Sequence, residues 1–280
     1  MRQFKHKIFK LFLRHPLMYY VRYLLLSKNN PGDFSDQMGC FNEINSIDDI
    51  PQIYFEVNKR ISLVAEWDEF EKALAIGRFL RSTISGGTGL GLSSDKTLEK
   101  MLAGLGGVCS DFSQTFTIFC FINDIKVREW GCIDRFYKAL FGHSFNEIYS
   151  SQQRKWIAID IHMGIIVTDS DKNYLAVTEL FNNLRVGKAI EFKVYSDYIS
   201  PKTHRIPHIY SPTTIPFLIC NYKNSVNDHF HQKFNKFPLF LANAIIILRG
   251  KSHHYLFVMD NYKSKILPSQ IRNLRLTSFF

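Results

Sequence analysis

The chain has little of what identifies several protein classes on sight. It holds five cysteines in 280 residues, at positions 40, 109, 120, 132 and 220, and no CxxC pair. An odd, scattered set of thiols argues against a disulfide framework and points to a reducing compartment. Long apolar runs are also missing. Leu17 to Leu26 is about half the length a bilayer span needs and contains Arg22. Arg14, Pro16 and Arg22 interrupt any signal-peptide core, so a cytoplasmic location is expected. Acidic residues are absent before Asp33, where seven bases stand: Arg2, Lys5, Lys7, Lys10, Arg14, Arg22 and Lys28. Lys plus Arg number 35 against 25 Asp plus Glu, so the rest of the chain has a surplus of only three. The basic excess thus belongs to an N-terminal appendage. With no helix-turn-helix, zinc-finger or RNA-binding signature, no nucleic-acid partner is expected.

What is present suits a globular chain: 46% hydrophobic and 21% charged residues exclude overall disorder. Residues 1–28 read as a helix with Phe4, Ile8, Leu11 and Phe12 on one face and bases opposite, interrupted at Pro16. Such a helix packs on the protein's own core or lies on an anionic membrane surface as a weak peripheral contact. A turn is expected at Asn29-Asn30-Pro31-Gly32. Apolar spacing from Leu63 to Leu80 predicts a helix over 62–83, and the glycine-rich stretch 85–96 reads as a loop. That loop lacks a GK[ST] ending and follows a helix, so it does not read as a phosphate loop. A short helix is expected over 97–103 and another over 110–122, with Phe112, Phe116, Phe119 and Cys120 on one face. Strands follow at 125–130, 144–149, 156–161, 190–195, 217–220, 244–248 and 255–259. Helices first and strands afterwards argue α+β, divided as an N-terminal extension (1–60), a core (61–175) and a strand-rich C-terminal region (176–280).

One constellation carries chemistry. Cys109 follows Gly106-Gly107-Val108 and opens the expected helix, where unpaired N–H groups lower a thiol's pKa and can receive an oxyanion. A thiolate nucleophile needs a histidine, and the histidine needs an orienting acceptor. GHSFNEIY (142–149) and WIAIDIH (156–162) flank a polar turn and read as a hairpin. Pairing about a turn centred between Ser151 and Gln152 sets His143 directly opposite Asp160, with Cβ atoms about 4.5–5.5 Å apart. A one-residue slip would place them on opposite faces.

GGVCSDFSQTF, GHSFNE and KWIAID together resemble the transglutaminase-like superfamily, over roughly residues 67–160. The resemblance implies a papain-like α+β core of bacterial type, with Cys109 as nucleophile, His143 as acid and base, and Asp160 orienting the imidazole. It implies cleavage or transfer of an amide or isopeptide acyl group through a thioester, on a peptide or other amide-containing substrate. Neither cofactor nor metal is expected, and no calcium loop is present. Rival readings are a non-catalytic binding module on the same fold and a membrane-surface protein acting through residues 1–28.

Other residues have blander readings. Cys120 and Cys132 are taken as buried, and Glu147 as pairing with a base or a backbone amide. Trp67, the only upstream Trp, fits a core helix at least as well as an oxyanion hole. His204 and His208 fall among prolines, and His229 and His231 are expected to share a strand face. The apolar run Phe237 to Gly250 reads as a strand buried on both faces.

Overall fold

The computed structural model describes residues 23–29, 34–35, 37–134, 142–196, 205–234 and 239–265. They build a sheet of eight strands: β1 (Ser27–Asn29), β2 (Val127–Asp134), β3 (His143–Ser150), β4 (Lys155–Asp160), β5 (Ile165–Asp169), β6 (Ile190–Val194), β7 (Thr214–Cys220) and β8 (His254–Phe257). Their order is β1-β8-β7-β2-β3-β4-β5-β6, and only the β1–β8 pair is parallel. The helices are α1 (Gln52–Asn58), α2 (Glu69–Thr83), α3 (Ser94–Leu102), α4 (Cys109–Ile122), α5 (Val177–Arg185), α6 (Ile206–Ile209), α7 (Asn224–Lys233), α8 (Leu239–Leu248) and α9 (Tyr262–Lys265). The class is α+β.

Because side chains alternate across a pleated strand, each strand serves two cores. On one face, Val127, Ile148, Ile157 and Ile159 pack with α1 to α4. On the other, Trp130, Phe145, Ala158 and Val167 pack with Val177, Leu180 and Phe181 of α5 and with Tyr210. Helix α4 lies against β2 and β3, and its Phe112, Phe116, Phe119 and Cys120 are all fully buried.

Several expectations need correction. Helix α2 begins at Glu69 rather than near Ser62, because Asp68 caps it: the Glu71 amide donates to Asp68 Oδ1 at 2.7 Å and the Asp68 amide to Glu71 Oε2 at 3.2 Å. Trp67 therefore sits in the preceding turn, not in a core helix. Of the expected N-terminal helix, residues 1–22 lie outside the described residues; 23–26 are helical, and Ser27–Asn29 form an edge strand instead. Asn30, Pro31, Gly32 and His204 also lie outside them. Residues 244–248 are helical, part of α8, because an unbroken apolar run has no period of its own and here continues a helix from Leu239. His229 and His231 lie on α7, so residues two apart point away from each other rather than sharing a strand face. Beyond 176 the described chain holds more helix than strand, so this region is not strand-rich. Cys132 lies within β2 and is buried.

The hairpin register also differs from the expected one. Asn146 pairs with Ile159 and Ser150 with Lys155, so the ladder is centred between Gln152 and Gln153. The turn takes all four residues 151–154, with Arg154 at φ 53°. The shift moves the pairing by two residues, which preserves the side-chain parity. His143 and Asp160 stay on one face as diagonal rather than direct neighbours.

Candidate active site

Cys109 occupies the first position of α4, at the end of a loop that glycine makes possible. Gly106 has φ +145°, and a Cβ there would lie 2.6 Å from the Thr88 carbonyl oxygen. The Gly107 amide donates to Thr88 O at 2.9 Å and the Gly87 amide to Gly107 O at 2.8 Å. The glycine-rich stretch 85–96 therefore braces the cysteine loop. Asp111, in the first turn, accepts the Val108 amide at 2.9 Å and the Leu90 amide at 3.2 Å. Its carboxyl ties both loops to α4, and the helix begins one residue earlier than expected. Helix geometry leaves the first-turn amides around Cys109 without intrahelical acceptors.

The strand side is fixed to α4 by polar contacts. Asn146 Nδ2 donates to Ser113 O at 3.2 Å and to Thr117 Oγ1 at 2.9 Å, while Ser113 Oγ donates to Phe145 O at 3.2 Å. These bonds set the start of β3 against the helix N-terminus. Cys109 lies close enough to His143 and to the Ser144 amide for both to favour its thiolate. His143 Nε2 lies 2.6 Å from Asp160 Oδ2. A carboxylate only accepts, so Nε2 carries the proton and Nδ1 is the nitrogen left for the thiol. Asp160 Oδ2 also accepts the Tyr210 hydroxyl at 2.8 Å, and Oδ1 the Met163 amide at 2.9 Å. The His143 ring stacks on Phe145, with centroids 6.1 Å apart.

Electrostatics follow from this order. Burial pushes the Cys109 thiol up, but the His143 charge and hydrogen bond outweigh it and bring the pKa below that of an ordinary cysteine. Burial pushes His143 down, and the charges of Asp160 and Cys109 overcome this, raising it to about 10. Asp160 is lowered against its own burial, chiefly by the His143 charge. The other four cysteines are buried, and burial raises the pKa of each. Cys109 is the one cysteine that is not buried.

Cys109, His143 and Asp160, proposed from sequence, are thus brought together in series. No family model and no curated protein matches the chain. Solved structures match in part, among them one from Cytophaga hutchinsonii, where the protein is named as a candidate cysteine protease; identity is 18% and the TM-score 0.33. The match spans 46% of this chain and 43% of that one, less than half of either.

Three groups escaped the sequence reading. Tyr210, the third partner of Asp160, comes from α6 and the turn after it, 50 residues downstream of the carboxylate. Glu129 on β2 lies opposite Asn146, buried, and burial raises it to about 8 although the Ser113 hydroxyl supports its charged form. Its Oε1 and Asn146 Oδ1 are both buried without partners. Arg81 on α2 is buried near Phe112, its guanidinium 5.5 Å from the ring centroid. Only unexpected polarity at apolar-face positions marked the last two. Glu147, by contrast, behaves as read: Oε2 accepts Arg128 Nε and Trp130 Nε1, and Oε1 the Val177 amide. Among the described residues no group of His, Cys, Asp or Glu is arranged to hold a metal ion. None of the described helices is long and apolar enough to cross a membrane.

Proposed function

We propose that the protein is a cysteine enzyme of transglutaminase-like type, with Cys109 as nucleophile, His143 as acid and base and Asp160 as the residue that positions the imidazole. The observation that carries this reading is the series Cys109–His143–Asp160, in which a thiol at a helix N-terminus shares an imidazole with a buried carboxylate. Cys109 thiolate attacks the carbonyl carbon of an amide, and the oxyanion of the tetrahedral intermediate faces the first-turn amides of α4. The C–N bond then breaks, the nitrogen takes the proton from His143 Nδ1, and a thioester remains. Water or an amine next gives its proton to His143 as it attacks the thioester, and Cys109 leaves as thiolate. Hydrolysis is the favoured outcome, because water needs no binding site; the substrate is a peptide or another amide.

The test is the rate at which a neutral haloacetamide alkylates Cys109 from pH 4 to 9, in wild type, His143→Ala and Asp160→Asn, with the labelled peptide identified by mass spectrometry. Fast labelling well below pH 7 that collapses in His143→Ala is expected. Labelling that rises only near the ordinary thiol pKa and ignores His143 would reject the reading in favour of a binding module.

A further inference from the structure

Arg81 lies on the last turn of α2 and is only 6% exposed. Long basic side chains are almost never buried without a partner. Arg81 nevertheless makes no hydrogen bond or ion pair among the described residues; its recorded neighbour is the Phe112 ring. Asp160 is close enough to influence its charge. Yet both Asp160 oxygens are already taken, Oδ2 by His143 and Tyr210 and Oδ1 by the Met163 amide.

Two further orphans stand beside it. Among the described residues, Tyr195 OH and Ser196 Oγ are sealed from solvent without a partner. Gly77, one helical turn before Arg81, makes room for the Tyr195 ring: a Cβ there would lie 2.6 Å from the hydroxyl. Gly164 faces the other two, its Cβ position 3.7 Å from Ser196 Cβ and 4.0 Å from Arg81 Nε. The Tyr195 amide donates to Gly164 O at 3.0 Å, which holds the end of β6 against this glycine. The Arg81 nitrogens, unlike the two hydroxyls, are not among the sealed unpartnered atoms, so the cluster opens at the guanidinium. All three groups can donate hydrogen bonds; Arg81 and Ser196 face Gly164, and the Tyr195 hydroxyl faces Gly77.

The cluster adjoins the Asp160 end of the series: Arg81 Nε lies 4.0 Å from the Gly164 Cβ position, and the amide of the preceding Met163 is held by Asp160 Oδ1. Phe112, beneath Arg81, is one turn along α4 from Cys109; its ring lies 5.6 Å from that of His162, which lies 5.9 Å from His143. A planar guanidinium flanked by hydroxyls matches a carboxylate, which accepts two parallel bonds from the fork and one from each hydroxyl.

We propose that Arg81, Tyr195 and Ser196 form a carboxylate-binding subsite beside the Asp160 end of the Cys109–His143–Asp160 series, so that the substrate is an amide carrying a carboxylate within reach of the reacting bond. This rests on Cys109 being the nucleophile. The test uses N-bromoacetyl-glycine, N-bromoacetyl-β-alanine and N-bromoacetyl-4-aminobutyrate, each beside its primary amide. Their carboxylates sit at increasing reach from the sulfur. Cys109 labelling rates are measured in wild type, Arg81→Gln and Tyr195→Phe, with folding checked by circular dichroism. In wild type at least one acid should react roughly ten-fold faster than its amide, the scale of a charge-assisted contact. That ratio should fall toward one in Arg81→Gln and fall partway in Tyr195→Phe. Should Arg81→Gln fail to fold, Tyr195→Phe, which keeps the ring and the charge, decides the question. An acid-to-amide ratio the variants leave unchanged at every length would overturn the subsite while leaving the nucleophile standing. No labelling of Cys109 by any reagent would overturn both.

Discussion

Both oxygens of Asp160 are hydrogen-bonded, and the one held by His143 is shared with Tyr210. Asp160→Asn preserves the shape but removes the charge that favours imidazolium, so low-pH labelling of Cys109 should fall by at least about ten-fold. The sign follows from the two shifts. Asp160 is lowered, so its stabilising effect is present above the ordinary carboxylate range and lost as pH falls through its lowered value. His143 is raised to about 10, so its effect is complete below the ordinary histidine pKa and lost as pH climbs through that raised value. Glu129 works the other way. Its carboxyl is held protonated to about pH 8, whereas the unfolded chain releases that proton near 4.5. Stability therefore declines as pH rises between those values, because the unfolded state alone gives up the proton. Glu129→Gln should remove the decline. Urea denaturation at pH 5 and pH 8 would show wild type losing stability relative to the variant, and parallel changes in the two would contradict this account.

Gly106 and the hairpin turn decide at the scale of elements whether the site assembles. Gly106→Ala places a Cβ against the Thr88 carbonyl at a positive φ, at a cost of about 1–3 kcal/mol. It should lower the urea midpoint and slow Cys109 labelling together, since the same loop sets the start of α4. Much at this scale was legible beforehand. Phe112, Phe116 and Phe119 repeat at helical spacing, and the alternation in 143–150 and 155–160 fits strands packed on two faces. Register was not legible, because the residues of SSQQRK do not say how many of them the turn consumes. Face parity rested on the assumed turn centre, and the two-residue shift preserved it, keeping His143 beside Asp160. The run ending at Leu248 misled because continuous apolarity has no period and suits a buried strand as well as a helix.

Across the whole molecule one sheet joins segments far apart in sequence. Strand β1 pairs with β8, β2 with β7, and Asp228 of α7 accepts the Ser94 amide at the start of α3 at 2.6 Å. Glu147 links β2 to α5 through Arg128, Trp130 and the Val177 amide. The Arg128–Glu147 pair is almost wholly buried, so Glu147→Gln, which removes the negative charge shared by Arg128 Nε and Trp130 Nε1, should cost about 3–5 kcal/mol in urea denaturation. A loss under about 1 kcal/mol would mean the pair is electrostatically idle. Residues past 176 offered no motif, yet they supply Tyr210 to Asp160 and Tyr195 and Ser196 to the Arg81 cluster. Local pattern pointed to the α+β class, to most core elements and, with the family resemblance, to the trio Cys109, His143 and Asp160, because helix starts and strand alternation are short-range properties. Tertiary structure decided the sheet order, the hairpin register, the third partner of Asp160 and the company of Arg81. Those depend on which distant surfaces bury one another, and burial is a property of the assembled fold rather than of any window of sequence.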